Sequence, residues 1–178
     1  MSETIFKPAW RKSDPALEAD AIAFWQKNKF LPKGVVAEER AKQLCGLVYR
    51  NGDVIAVSTI IIKEMPRFRC RMAMYRCAAS PSFRRSPYSL QVTNESRELM
   101  EQWSLEHPEE GVMGLAAAIE SKLLARHMPS VFWPAELIFM GYMPNGQQLR
   151  VAWFKHATVN PKAPARKHGF GQVPPQDS

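Results

Sequence analysis

The most restrictive feature of this sequence is a strand-like run that passes through a short basic turn into a helix-like run. In the first run, residues 67–79, apolar and polar side chains alternate as in a half-buried strand. The second run, residues 88–106, follows Ser86 and Pro87. Because serine is a favoured N-cap and proline fits the first helical position, the helix is expected to begin there. This order of elements predicts a helix packed on a sheet.

The turn between the two runs has the composition of an anion-binding site. The N–H groups of Tyr88, Ser89 and Leu90 would have no carbonyl partner within their own helix. The helix dipole and the charges of Arg84 and Arg85 would add positive potential at the same place. An ordinary capped helix after a strand has the same residues, and the turn alone does not separate the two interpretations.

Two Asn-Gly dipeptides between β-rich runs predict β-hairpins. The runs they join are residues 46–50 with 54–62, and residues 139–143 with 149–154. The run that ends at Ile62 is apolar on both faces, so we expect it near the centre of the sheet. A first strand over residues 4–10 and helices over residues 15–28 and 36–44 complete the first part of the chain.

Residues 112–120 are open to two interpretations. By propensity they are helical and could continue as a helix to His127. As a short apolar run they also suit a buried parallel strand. We predict the strand, because the preceding helix needs a parallel partner to complete a strand–helix–strand unit. Helical segments are then expected at residues 121–127 and 130–138.

Arginines alternate with apolar side chains at the start of the strand-like run. On one face we place Arg67, Arg69 and Arg71, and on the other Phe68, Cys70, Met72 and Met74. Three arginines on one strand face either line an anionic surface or form a solvated strand end. Because charge on an exposed strand face is common, the solvated strand end is the favoured interpretation.

Composition is that of a globular chain with a basic balance. Of the 178 residues, 46% are hydrophobic and 23% are charged, and the formal net charge is +7. We predict a single domain over residues 1–159 and a flexible basic tail, rich in proline and glycine, over residues 160–178. The positive charge favours anionic partners such as a nucleotide cofactor, nucleic acid or an acidic protein.

Cysteine content and hydropathy indicate the cellular setting. The three cysteines, Cys45, Cys70 and Cys77, are an odd number without metal-ligand spacing, which is typical of a reduced, cytoplasmic protein. No apolar run approaches the roughly 20 residues of a membrane span. We therefore expect no membrane partner and no metal, and the pattern does not predict an oligomeric state.

Two short motifs, taken with the order of elements, resemble the GNAT superfamily of N-acetyltransferases. That family carries an Arg/Gln-x-x-Gly-x-Gly/Ala turn whose backbone amides hold the pyrophosphate of acyl-coenzyme A. Arg84-x-x-Pro87-x-Ser89 has this spacing, and Met140-Gly141-Tyr142 is similar to the Leu-Gly-Phe that opens the family's sixth strand. Pro87 lacks the N–H that a glycine would supply, so the resemblance implies a divergent member with a weakened phosphate site.

The resemblance implies a mixed α+β fold with a central mixed sheet, flanked by helices, whose parallel strands splay apart. It implies an acyl-CoA-dependent N-acyltransferase that transfers an acyl group from acetyl-CoA or another acyl-CoA to an amine-bearing substrate. The residues that would hold the cofactor are Cys77, Ala78, Ala79, Arg84, Arg85, Tyr88, Ser89 and Leu90.

The catalytic acid and base are harder to assign. Glu120, at the end of the expected fifth strand, is a candidate base, and its alternative interpretation is an ordinary exposed carboxylate. Many family members use a tyrosine that precedes the sixth-strand Gly-Phe as the acid. No tyrosine occurs between Tyr88 and Tyr142, so Tyr142 and His127 are the candidate substitutes.

A non-catalytic alternative is a GNAT-like module that binds nucleic acid or another anionic partner through a basic cleft. Its charge would come from Arg67, Arg69, Arg71, Arg76, Arg84 and Arg85, with Phe68, Tyr75, Phe83 and Tyr88 as stacking platforms. An acyltransferase that acts on a nucleic-acid-linked amine would combine both functions.

Overall fold

Eight strands form one mixed sheet in the computed structural model, which describes residues 4–84 and 87–159. The strands are β1 (Thr4–Pro8), β2 (Leu44–Arg50), β3 (Asp53–Met65), β4 (Cys70–Ala79), β5 (Val112–Ile119), β6 (Phe132–Trp133), β7 (Leu137–Tyr142) and β8 (Gln148–Trp153). Their order in the sheet is β1-β2-β3-β4-β5-β8-β7-β6. β4 and β5 are parallel, and every other neighbouring pair is antiparallel. The predicted mixed sheet and both Asn-Gly hairpins are confirmed.

The described residues also form four α-helices, which flank the sheet. These are α1 (Pro15–Asn28), α2 (Ala37–Ala41), α3 (Pro87–Glu106) and α4 (Lys122–His127). α1 begins where predicted, because the side chain of Asp14 accepts hydrogen bonds from the N–H groups of Ala16 and Leu17 at 3.0 and 3.2 Å. Its buried Phe24 packs in one core cluster with Val57 of β3.

α3 connects β4 to β5 and packs on a different core cluster from α1. Met100 and Trp103 of α3 lie with Tyr75 of β4 and Leu115 of β5 in this cluster. The predicted strand at residues 112–120 is therefore confirmed, and the strand–helix–strand unit is complete. No helix in the described ranges is long and apolar enough to cross a membrane.

The two parallel strands separate at their carboxyl ends. β4 and β5 pair from Arg71 and Val112 to Met74 and Ala116. Beyond that point β4 pairs only with β3, through Ala79, while β5 pairs only with β8. The predicted splay is confirmed, and it leaves one edge of β4 open over residues 75–79.

The predicted helix at residues 130–138 is wrong. This segment instead contains β6, a turn and the beginning of β7, and Ala135 and Glu136 in the turn have φ of 64° and 59°. Pro134 has no N–H for a helix. The buried guanidinium of Arg150 donates to the carbonyl oxygens of Met128 and Ser130 at 2.6 and 2.9 Å, which holds the start of the segment against the sheet.

The predicted face of three arginines does not form, because the strand begins later than expected. The N–H groups of Phe68 and Arg69 both donate to the carbonyl of Met65 at 2.9 Å, so residues 66–69 are a turn. Only Arg71 lies in β4, where it binds Glu110. The predicted helix over residues 36–44 is also shorter, since β2 already begins at Leu44.

Candidate functional site

The free edge of β4 faces the gap that opens between the two parallel strands. Tyr75 is buried, and its hydroxyl hydrogen-bonds with the Thr93 hydroxyl at 3.0 Å, which ties β4 to α3. Burial raises the pKa of Tyr75, so its phenol stays protonated near neutral pH and keeps its hydrogen bond with Thr93. The role of Tyr75 is to hold the free edge in place.

Three of the predicted cofactor-binding residues end this strand. Cys77 is exposed as a residue, yet desolvation of its thiol raises the thiol pKa, which argues against a thiolate nucleophile. Ala78 lines a cavity on one face of the sheet, and the carbonyl of Ala79 accepts a hydrogen bond from Nε of Arg84 at 3.3 Å. The small side chains leave the open edge accessible.

The turn after β4 leads to the first turn of α3, as predicted. Pro87 is the first residue of α3, and Tyr88, Ser89 and Leu90 follow in its first turn, where backbone N–H groups have no partner within the helix. The predicted ligand Arg85, the predicted N-cap Ser86 and the side chain of Ser89 lie outside the described part of the chain.

Aromatic rings and arginines surround this first turn. The rings of Phe83 and Tyr88 meet edge to face at 5.7 Å, and the guanidinium of Arg50 lies 5.1 Å from the Tyr88 ring centroid. Arg84 lies 5.2 Å from the ring centroid of Phe30, which follows α1. Arg84 is thus directed toward the end of α1 while it bonds the end of β4.

A cavity of about 100 Å³ opens beside the splayed strands. The end of α1 and the loop after it form one wall, and α2, β3 and β4 form the others. Its lining residues are Trp25, Phe30, Leu31, Pro32, Arg40, Val57, Thr59, Arg76, Cys77, Ala78 and Glu120. Most of the lining residues are apolar, and the three charged residues, Arg40, Arg76 and Glu120, set the electrostatic character of the cavity.

An ion pair joins the separated strand ends at this cavity. Nε of Arg76, on β4, lies 3.1 Å from Oε1 of Glu120, which directly follows β5. Both side chains are about half exposed, so solvent screens the pair and its contribution to stability is small. The ion pair instead orients the Glu120 carboxylate toward the cavity.

Arg40 is the other charged residue of the cavity. Its side chain is half-buried, and within the described ranges its guanidinium has no hydrogen-bond or ion-pair partner. Burial lowers the pKa of Arg40, the charge of Arg76 lowers it further, and Glu120 acts in the opposite direction. The cavity therefore holds two positive charges close to one negative charge.

The three predicted catalytic residues lie toward the same end of the sheet without touching. Glu120 lines the cavity, and the register Ile119–Gln148–Tyr142 places Tyr142 two strands away from the end of β5. Nδ1 of His127 lies 2.7 Å from the carbonyl oxygen of Leu123 in its own helix. No hydrogen bond or ring contact among the described residues joins any two of the three.

Sequence reasoning missed Arg40 and the apolar wall formed by Trp25 and Phe30. Arg40 lies on a helix of five residues and far from Arg76 and Glu120 along the chain. No local pattern connects these positions, because only the packing of α1 and α2 over the sheet brings them together.

Similar solved structures share the fold of this chain. No protein-family model matches this sequence, and no curated protein matches it. Among solved structures, the ribosomal-protein-S5-alanine acetyltransferase from Vibrio fischeri is 11% identical, over 89% of this chain and 99% of its own, with a TM-score of 0.56. A GNAT-family acetyltransferase from Streptococcus pneumoniae is 12% identical, over 85% and 99%, with a TM-score of 0.54.

A third similar structure is a mutant of the toxin AtaT bound to acetyl-CoA and to the C-terminus of the antitoxin AtaR. It is 16% identical, over 85% of this chain and 94% of its own, with a TM-score of 0.55. AtaT has also been solved in complex with acetyl-methionyl-tRNAfMet. At these identities the likeness shows the fold alone, which is that of the GNAT acetyltransferases.

Proposed function

We propose that this chain, which has the GNAT fold, is an acyl-CoA-dependent N-acyltransferase. The observation that carries the proposal is the separation of β4 and β5 at the same end of the sheet as the first turn of α3. One place thus offers an open strand edge and a helix N-terminus. A similar structure, AtaT, is bound to acetyl-CoA. The acyl group and the acceptor amine are not specified by this observation.

The residues of the cleft fit an acyl-CoA. The β4 edge over residues 75–79 has backbone groups without a strand partner on the β5 side, and the side chains of Ala78 and Ala79 are small. We propose that this edge and Cys77 lie along the pantetheine arm. The first-turn N–H groups of α3, with Arg84 and Arg85, would hold the phosphates. A bound acyl-CoA would supply a thioester carbonyl as the electrophile.

Glu120 is the proton acceptor that the cavity favours. Transfer of an acyl group to an amine breaks a C–S bond, forms an amide C–N bond and requires the amine to lose its proton. Glu120 lines the cavity and its carboxylate is positioned by Arg76. Tyr142 and His127 stay candidate acids, and the exposed Tyr142 is the less constrained of the two because His127 contacts its own helix.

Binding of acyl-CoA tests this function directly. Calorimetry with acetyl-CoA and longer acyl forms should show binding to the native chain. A charge-assisted contact is worth roughly 1.5–3 kcal/mol, so Arg85→Ala should weaken binding about tenfold or more. Pro87→Gly should bind as well or better, because it restores a donor N–H.

Arg69→Ala is the matched control, since Arg69 lies in the β3–β4 turn and should not affect binding. If neither the native chain nor Pro87→Gly binds any acyl-CoA, the acyltransferase proposal fails.

A nucleic-acid-binding module is the second candidate function. The arginines and aromatic rings around the first turn of α3, with Arg50 over Tyr88 and Arg84 over Phe30, favour it. The remaining arginines do not extend this surface, because Arg71 is paired with Glu110 and Arg67 lies beyond the other end of β4. Titration with single-stranded RNA at several salt concentrations distinguishes the acyltransferase from the nucleic-acid-binding module. RNA binding that weakens steeply with salt, without binding of acyl-CoA, favours the module.

A further inference from the structure

The cavity beside the splayed strands contains a cation with an unused set of donors. A guanidinium carries five N–H donors in a planar fork that matches a carboxylate. Arg40 lines the cavity and has no partner among the described residues, although two glutamates precede it on α2. The carboxylate of Glu39 instead binds Lys42 at 2.7 Å. The free donors of Arg40 are therefore available to a ligand.

The charges of the cavity favour an anion at Arg40. Arg76 already has a carboxylate partner in Glu120, whereas Arg40 has none within residues 4–84 and 87–159. Arg40 is also close enough to Arg76 for the two charges to repel. A guanidinium stays protonated under ordinary conditions, so Arg40 cannot relieve this repulsion by losing its proton. A bound anion would relieve it and would complete the hydrogen bonds of Arg40.

The size of the cavity limits what this anion belongs to. A volume of about 100 Å³ is smaller than the roughly 150 Å³ of a protein cavity that holds one benzene ring. It accommodates a small head group, not a nucleotide base with its sugar. The walls contributed by Trp25, Phe30 and Leu31 are apolar and suit the carbon atoms of such a group.

We propose that the acceptor is a small amino acid-like molecule whose carboxylate is bound by Arg40 while its amine faces Glu120. Recognition of this kind uses opposite charges at the two ends of one head group. The carboxylate lies against Arg40, and the amine lies near the carboxylate that would accept its proton. This inference rests on the proposed acyltransferase function, for which it names the class of acceptor.

Matched pairs of amines test the inference. Each pair consists of an amino acid and its decarboxylated amine: histidine with histamine, tyrosine with tyramine, and glycine with methylamine. We expect kcat/KM with acetyl-CoA to be at least tenfold higher for the amino acid of each pair. O-phosphoethanolamine with ethanolamine forms a fourth pair, and a stronger preference there would overturn the carboxylate in favour of a phosphate.

Variants of α2 assign the preference to Arg40. Arg40→Gln should reduce the amino acid preference at least tenfold, and Arg40→Lys should reduce it in part, because the charge stays and the planar fork is lost. Lys42→Gln removes one positive charge from the same helix and should leave the preference unchanged. An unchanged preference in both Arg40 variants, with melting temperatures near that of the native chain, would overturn the inference.

Measurements of amine binding without acyl-CoA distinguish the carboxylate site at Arg40 from the acyltransferase proposal. Ligand-detected NMR with each amine, in the absence of acyl-CoA, should show the same preference and the same loss in Arg40→Gln. If acyl-CoA binds and amines react without a carboxylate preference, this inference fails while the acyltransferase proposal stands. If no acyl-CoA binds and the amino acids still require Arg40, the acyltransferase proposal fails while the carboxylate site stands. If neither assay shows a dependence on Arg40, the inference is wrong.

Discussion

At the scale of single residues, Glu110 makes the clearest set of charged contacts outside the cleft. Its Oε1 lies 3.1 Å from Nη1 of Arg11, and its Oε2 lies 2.7 Å from Nη1 of Arg71. Arg71 also donates to the main-chain carbonyl of Glu110 at 2.8 Å. These contacts, led by the hydrogen bond from Arg71, hold the pKa of Glu110 below its usual value. One carboxylate thus joins three distant parts of the chain.

Glu110 predicts a loss of stability in acid. Because its folded pKa lies below the unfolded value near 4.5, its contribution is complete above that value and is lost as pH falls through the folded pKa. Glu110→Gln should lower the melting temperature at pH 7. The variant's melting temperature should also decrease less than that of the native chain between about pH 5 and pH 2. Glu109→Gln, at the exposed neighbouring position, is the control and should follow the native curve in a thermal scan.

At the scale of elements, β5 decides the architecture, because it lies between the parallel β4 and the antiparallel β8. Its tight contact with β8 depends on Gly114. A Cβ atom at this position would lie 2.7 Å from the carbonyl oxygen of Ala152 and 2.9 Å from Cε of Met72. The methionine end can move, but the backbone carbonyl of a central strand cannot move without disturbing the sheet.

Gly114→Ala should therefore destabilise the protein by overpacking. We expect the free energy of unfolding to fall by about 1–3 kcal/mol, with an unchanged dependence on urea concentration, as measured by urea titration. An unchanged urea midpoint would mean that β5 and β8 separate enough to accept a methyl group.

At the scale of the whole molecule, the two ends of the parallel pair β4 and β5 have different roles. At the carboxyl ends, β4 and β5 separate and open the cleft. At the amino end of β5, the ring centroids of Trp10 and Trp103 lie 5.5 Å apart and Arg11 lies 4.7 Å from that of Trp103. We infer that contacts at the closed end hold the strands together while the open end stays accessible to ligands.

The whole-molecule prediction concerns the basic tail, residues 160–178, which lies outside the described part of the chain. Its composition offers little apolar surface to offset the entropy of ordering. A chain ending at Val159 should therefore keep the melting temperature of the full chain within about two degrees. A drop of several degrees, corresponding to roughly 1 kcal/mol, would show instead that the tail docks on the domain.

Most elements of the fold were predictable because their signals are local. The Asn-Gly turns, the cap at Asp14 and the start of α3 at Pro87 each depend on a few adjacent residues. Residues 130–138 were predicted wrongly because their conformation depends on Arg150, a residue from a later strand. The predicted strand face of arginines was wrong for a local reason. β3 continues to Met65, and the N–H groups of Phe68 and Arg69 donate to the Met65 carbonyl, so residues 66–69 form a turn.

The sequence by itself determined the mixed sheet, the strand–helix–strand unit and the position of the cleft between β4 and β5. Glu120 was a candidate from its place at the end of a strand. Its ion pair with Arg76 and the presence of Arg40 in the same cavity were decided by the tertiary structure. Local patterns report what neighbouring residues do to one another. A pocket instead depends on which side chains from distant segments meet, and strand register and helix packing decide that.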